Sequence, residues 1–190
     1  MKTRVVLAIV VVLALGLAGS ILLSTQTISN LTAEEIVARV KPGQWVEIKG
    51  IVQTDSSVLA LEFKFLTGGM GDDDWELTAN VQAATPTRSE FQVLSVPVKI
   101  TKNTKLNNPI KSLDDIQPEM LVKLEGTYRN DSIFVAKDVA HKTAQLKANP
   151  QLEAMMVAVG KIGHVDEVRR MVTVMGIQVH ITEKTNKSRE

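Results

Sequence analysis

Two pairs of stretches in this chain repeat each other without a gap, and that repetition narrows the possible folds more than any other feature. Pro42 to Gly50 (PGQWVEIKG), with Asp55 to Ala60 (DSSVLA) after it, returns seventy-six residues later as Pro118 to Gly126 (PEMLVKLEG) and Asp131 to Ala136 (DSIFVA). In each copy apolar residues alternate (Val46, Ile48; Val122, Leu124), a polar turn follows, and a second strand returns. That pattern is a β-hairpin signature, termed the tail unit. The second pair, the head unit, matches Val93–Thr104 with Val174–Thr185 at an offset of eighty-one residues. Val96, Val98 and Ile100 alternate with Pro97 and Lys99, so one face is buried and the other wet. Ser95 and Gly176 fall where the inward phase shifts, as at a bend between two strands.

The order along the chain is tail, head, tail, head. One contiguous head-plus-tail copy runs over residues 74–142 and offers about five strands, with a short turn or helix at Ser112–Ile116 before the fourth. Five short strands interrupted by a small helix suit an OB-like barrel, which closes its own edges. The first tail lies within residues 27–66, behind a short helix opened by a capping box, Thr32-Ala33-Glu34-Glu35, and ended by Pro42-Gly43. The last head occupies residues 157–185, joined to the contiguous copy by a polar linker, 143–156, that Pro150 interrupts. These two orphans together make one further unit in permuted order. The expectation is that 42–66 pairs with 157–185 beside the contiguous barrel. A truncated repeat, or one that pairs with another molecule, is the alternative.

Ahead of the repeats, Lys2 and Arg4 precede an uncharged apolar run from Val5 to Leu23. As a helix it would be about 28 Å long, close to the roughly 30 Å hydrocarbon core of a bilayer. The positive charges before it and the polar Ser24-Thr25-Gln26-Thr27 after it put the N-terminus in the cytoplasm. A cleaved signal peptide is the competing reading, with Ala18-Gly19-Ser20 as the cleavage site. Leu17-Ala18-Gly19-Ser20 has a serine where a lipoprotein signal needs cysteine, so lipid attachment there is excluded. Residues 1–26 are thus read as a membrane anchor or signal segment. Either way, the chain beyond that segment is exported: a single-pass protein of a bacterial inner membrane, with its C-terminal part in the periplasm or outside the cell.

Composition excludes several function classes. Lys and Arg number 22 against 21 for Asp and Glu, for a net charge of +1, which argues against nucleic acid as a partner. Without cysteine there is no disulfide, thiolate metal site or cysteine nucleophile. Seven aromatic residues are a small stock for a stacking platform or a sugar cleft.

Three histidines, His141, His164 and His180, are read as surface residues: His180 on the wet face of its strand, His164 in a turn-like Gly163–Asp166. No two share the close spacing of a zinc site. Asp72, Asp73 and Asp74 follow a glycine-rich stretch but lack a calcium loop with its closing glutamate, so they read as a solvated linker. Met155, Met156, Met171 and Met175 are read as core filling rather than copper ligands. No phosphate loop and no Gly-x-Ser-x-Gly elbow occurs. No catalytic residue, cofactor-binding residue or metal site is assigned.

The run from Asp73-Asp74-Trp75-Glu76-Leu77 through the head, Ser112-Leu113-Asp114-Asp115-Ile116 and Val122-Lys123-Leu124-Glu125-Gly126 to Ala136-Lys137-Asp138-Val139 resembles an exported bacterial repeat family. It is the domain-of-unknown-function family numbered fifty-six sixty-six. Gly160–Asp166 and Val174–Ile177 resemble the start of another copy, and the likeness covers most of residues 42–185. It implies a small barrel and no activity. Ala136-Lys137-Asp138-Val139-Ala140-His141 is also similar to the last strand of the OB-fold haem chaperone of cytochrome c maturation. That family needs a tyrosine four residues beyond its haem-attaching histidine, where this chain has Gln145.

The sequence therefore predicts a mostly β protein: small OB-like β-barrel repeats behind an N-terminal transmembrane helix or signal segment. The function expected of it is that of a non-enzymatic extracytoplasmic binding or adaptor module, tethered at the membrane and serving an envelope protein or a cell-wall polymer. An envelope carrier of haem or a metal ion is the alternative.

Overall fold

The computed structural model of the protein describes residues 24–26, 31–85, 89–143 and 155–186. In chain order these form β1 (Ser24–Gln26), α1 (Ala33–Arg39), β2 (Trp45–Val52), β3 (Val58–Thr67), β4 (Trp75–Thr85), β5 (Glu90–Val93) and β6 (Val96–Lys99). There follow β7 (Lys105–Leu106), a 3-10 turn (Leu113–Asp115), β8 (Leu121–Tyr128), β9 (Phe134–His141), β10 (Met155–Asp166), β11 (Met171–Val174) and β12 (Ile177–His180). The protein is mostly β, as the alternating pattern predicts.

The contiguous copy closes on itself. β4 pairs with β5, β5 with β6, β6 with β9, β9 with β8, and β8 returns to the first half of β4. All these pairings are antiparallel except β6 with β9. The result is a five-stranded barrel with no free edge in the ring. Its alternate residues point inward: Leu77, Ala79, Val98, Val122, Leu124, Phe134 and Val139 are all fully buried. Ile110 and Ile116, either side of the 3-10 turn, are buried with them.

The remaining strands make a second closed ring in permuted order. β10 pairs with β11, β11 with β12, β12 in parallel with β3, β3 with β2, and β2 returns to the first half of β10. The register is the same. Leu77↔Leu124 in the first ring corresponds to Ala158↔Ile48 in the second, and Val98↔Phe134 corresponds to Val179↔Val58. Even the irregularities recur. A bulge separates Glu125 from Gly126 and Lys49 from Gly50, and another interrupts β4 after Val81 and β10 after Ile162. The two-residue turns of the heads share a left-handed φ of 53° at Leu94 and Met175, so Ser95 and Gly176 sit in tight hairpin turns.

The helix completes this second ring. Thr32 caps α1, its hydroxyl accepting from the Glu35 N–H at 3.3 Å while the Glu35 carboxylate accepts from the Thr32 N–H at 2.8 Å. Ile36 and Val37 are buried in the core, and Val40, at the end of the helix, is equivalent to the buried Ile116 of the first ring. At the other end of the permuted copy, Thr185 donates its hydroxyl to the Ala60 carbonyl at 2.9 Å, as Thr104 does to Ala136 at 2.6 Å.

The rings are joined by their long strands. β4 and β10 pair antiparallel through Glu76↔Val159, Leu77↔Ala158 and Thr78↔Val157. Leu77 and Ala158 are equivalent positions, so a local two-fold axis passes through that pair. The axis makes the join self-complementary, like the interface of a symmetric dimer, and the buried side chains of both rings form one cluster.

Two sequence expectations change. His164 is not in a turn but inside β10, beyond the bulge and opposite Thr173. Ser24–Gln26, grouped with the membrane segment from sequence, form β1 and pair with Phe65–Thr67 of β3. The apolar run Val5–Leu23 and most of the linker 143–156 lie outside the described residues, and among the described residues no helix is long and apolar enough to cross a membrane.

Candidate functional site

Where two copies of one scaffold face each other across a two-fold axis, packing alone asks the same of both sides. Here the sides differ. On one side Trp45 opens β2, Trp75 opens β4 and Tyr128 ends β8. Their rings form a row, with centroids 5.0 Å apart for Trp45–Trp75 and 5.4 Å for Trp75–Tyr128. Lys161 of β10 lies over the Trp45 ring at 5.2 Å, within cation–π range. The equivalent residues across the axis are Leu121, Met156, Val52 and Asn80, none of them aromatic.

Glycines make room for the row. A Cβ on Gly160 would lie 2.6 Å and 2.7 Å from carbons of the Trp75 ring, a distance real Cβ atoms do not tolerate. The equivalent residue across the axis is Ala79, and the position equivalent to Trp75 is Met156 rather than a tryptophan. Gly176 takes a φ of 76°, and a Cβ there would stand 3.4 Å from the Tyr128 hydroxyl. Its counterpart is Ser95.

Beside this row a cleft of about 880 Å³ opens between the rings. Trp75, Tyr128, Ile162 and Met175 form its apolar floor; Trp75, Ile162 and Met175 are almost fully buried and Tyr128 is half-buried. The Arg129–Ser132 turn makes one wall, and Gly43, Gly163 and Gly176 leave main chain uncovered at the rim. Four charged residues line it, and they are balanced: Asp72 pairs with Lys161 at 3.0 Å, and Asp131 with Arg129 at 2.7 Å.

A smaller cleft, about 400 Å³, lies on the other side of Trp75 and is rimmed by Glu47, Asp73, Asp74, Glu76, Glu125 and Lys137. Its charges are engaged as well. Lys137 holds Asp73 at 2.9 Å and, through that hydrogen bond and its charge, keeps the Asp73 carboxyl below the usual range. Lys123 binds Glu125 at 2.7 Å and Glu76 at 3.0 Å, and Asp74 accepts the Gly71 N–H. The acidic triplet Asp72–Asp74 is therefore tied down by two lysines and a main-chain donor. Among the described residues no group of three or more acidic or histidine side chains is placed to hold a metal ion.

The histidines are scattered. His141 is half-buried at the end of β9 opposite Val122, His164 is exposed on β10, and His180, half-buried rather than on a fully wet face, ends β12 opposite Met171. Of the methionines, Met156 and Met175 are buried in the core while Met155 and Met171 lie at its edge. Gln145, the residue tested against the haem-chaperone pattern, lies outside the described residues.

The aromatic row is the site that sequence reasoning missed. Seven aromatic residues look too few for a stacking surface, yet three of them converge here. The available signal was the repeat alignment itself, which sets Trp45 against Leu121 within otherwise matching tails.

A family model described as a domain of unknown function (DUF5666) matches residues 10–64 and 78–140. No curated protein and no solved structure matches the chain, and the likeness to a haem chaperone finds no support.

Proposed function

Because the chain belongs to the DUF5666 family, whose description names no activity, we propose a function from a place where its two equivalent halves differ in chemistry. The protein is a non-enzymatic binding or adaptor module, and the cleft beside Trp75 and Tyr128 is its ligand seat. The observation that carries this reading is the asymmetry across the local axis. Aliphatic residues (Leu121, Met156 and Val52) stand at the equivalent positions on the far side, so the scaffold does not itself call for an aromatic row. Concave, largely apolar sites with a few placed polar groups are the usual form of a ligand pocket.

Each ring is read as an OB-like barrel. The order of pairing, with the third and fifth strands parallel and a helix or turn before the fourth, supports that assignment. The second barrel is a circular permutant, with its first three strands from 155–180 and its helix and last two strands from 33–67. The module is held at the outer face of a bacterial membrane by residues 1–23. The charge-free run Val5–Leu23 behind Lys2 and Arg4 supports this. β1 would then tie the chain to the end of β3 directly after the membrane segment.

The two-fold axis supplies an internal control for the test. A photo-cross-linking residue is placed at Ser132, on the cleft wall, or at its equivalent Ser56, and irradiated in the native envelope. Labelling of an envelope component from position 132 and not from 56 supports the cleft as the seat. Equal labelling from both positions, or none from 132, sinks it.

A further inference from the structure

The chemistry of the cleft narrows the ligand further, an inference that rests on the reading of the cleft as the seat. We infer that the cleft takes a short, neutral, hydroxyl-rich oligosaccharide, with one pyranose ring stacked against Tyr128.

Three observations select this class. The first is charge. Asp72, Lys161, Asp131 and Arg129 form two closed pairs, so no surplus charge remains to hold an anionic or cationic ligand. Those pairs do offer carboxylate acceptors next to ammonium and guanidinium donors, the arrangement that vicinal hydroxyls of a sugar bridge. The second is exposure. Trp75 is only 7 % exposed and its ring is used up in packing, so the half-buried Tyr128 is the ring the cleft offers. A proline-rich helix docks between aromatic ridges, and one accessible ring does not make a pair of ridges. One ring surrounded by hydrogen-bonding groups suits a pyranose, which has an apolar C–H face and a polar edge. The third is the rim. Gly43, Gly163 and Gly176 carry no side chain over the main chain, so hydroxyls can approach peptide groups closely. Asn130 and Ser132 add side-chain partners on the facing turn.

The chain is unusually easy to read in this respect. Its two tryptophans and its one tyrosine are the three members of the row, so intrinsic fluorescence reports on this site alone. The full-length protein, in a zwitterionic detergent without a sugar headgroup, is titrated with chitotetraose and with cellotetraose. The expected result is a saturable change in tryptophan emission with at least one of them. The apparent affinity should fall at least tenfold in Tyr128→Ala and in Arg129→Ala, and stay within twofold in Val52→Ala, the equivalent change across the axis. Arg129 has a side chain 55 % exposed, so its variant separates binding from folding. No saturable change with either sugar, or one that ignores both cleft variants, overturns the inference. A decaproline peptide is titrated in parallel. If it saturates and the sugars do not, the sugar class is refuted while the cleft stands. If position 132 also fails to cross-link selectively, the cleft has failed as well.

Discussion

Replacing Gly160 by alanine puts one methyl group where the Trp75 ring already lies, and its consequence can be worked out from the geometry. The added carbon would stand 2.6 Å and 2.7 Å from two ring carbons and 3.0 Å from a Val174 methyl. Both neighbours are in the buried core, so neither can swing into solvent. Overpacking of this kind costs about 1–3 kcal/mol, less about 0.4–1 kcal/mol regained because alanine restricts the unfolded chain. For a chain of this size each kcal/mol lowers Tm by about 2–4 °C. Trp75→Met alone leaves a void and costs about 1–3 kcal/mol. Together the two changes rebuild the far side of the axis, where Ala79 and Met156 are both fully buried. The double variant should therefore lose less than the sum of the singles, with a coupling of about 1–2 kcal/mol. Urea unfolding followed by far-ultraviolet circular dichroism measures all four corners of the cycle. If the two costs add to within about 0.5 kcal/mol, the claim that Gly160 exists to admit the tryptophan ring is wrong.

Three further outcomes are expected. Deleting residues 155–190 removes β10, β11 and β12, and should strip hydrogen-exchange protection from 45–66 while leaving β8 and β9 protected; unchanged exchange in β2 and β3 would contradict the permuted ring. Gly50→Ala and Gly126→Ala stand at equivalent bulges, where a Cβ would meet the Leu59 carbonyl oxygen at 2.6 Å and that of Val135 at 2.2 Å. Each should lower stability in urea by a similar amount, about 1–3 kcal/mol, and a tolerated Gly126→Ala would argue against the register of β8 on β9. Stability should also fall in acid. The Thr32 N–H and hydroxyl hold Glu35 below its usual pKa, the Ser57 hydroxyl and N–H do so for Asp55, and the N–H groups of Lys111 and Ser112 for Asp115. A carboxyl lowered in the fold stabilises it fully above the unfolded value, about 4, and that contribution is lost as pH falls through the lower folded value. A urea midpoint flat from about pH 7 to about pH 3 would refute it, and in Asp115→Asn the acid-sensitive part should shrink.

Much of the fold was legible because the chain writes it twice. Alternation at Val46 and Ile48 or Val96 and Val98 marks strands, Thr32 with Glu35 marks the helix start, and the matched offsets show which segments are equivalent. The join between the rings was not legible. It is a three-residue pairing between β4 and β10, strands some eighty residues apart, and periodicity says which face a strand buries but not which strand lies beside it. His164 was misplaced because a bulge after Ile162 carries β10 past a Gly-His-Val-Asp sequence that reads locally as a turn. The candidate site was invisible for a similar reason. Trp45, Trp75 and Tyr128 come from three strands: Trp75 and Tyr128 meet across the β4–β8 pairing, and Trp45 reaches them only through that join, so no local motif contains two of them.

The permuted ring also imposes an order of events on synthesis. β2 and β3 are made first, but the strands that complete their ring are made last. In between, the contiguous barrel has everything it needs and can close. During that interval the early hairpin presents unpaired strand edges, a template for any other chain nearby. Its outer face carries a ladder of alternating charge, Lys49 and Lys64 against Glu47 and Glu62, with contacts from 2.9 to 3.7 Å. In the finished protein such surface pairs add little stability. On the waiting hairpin they keep one face hydrated until β10 and β12 arrive to close the ring.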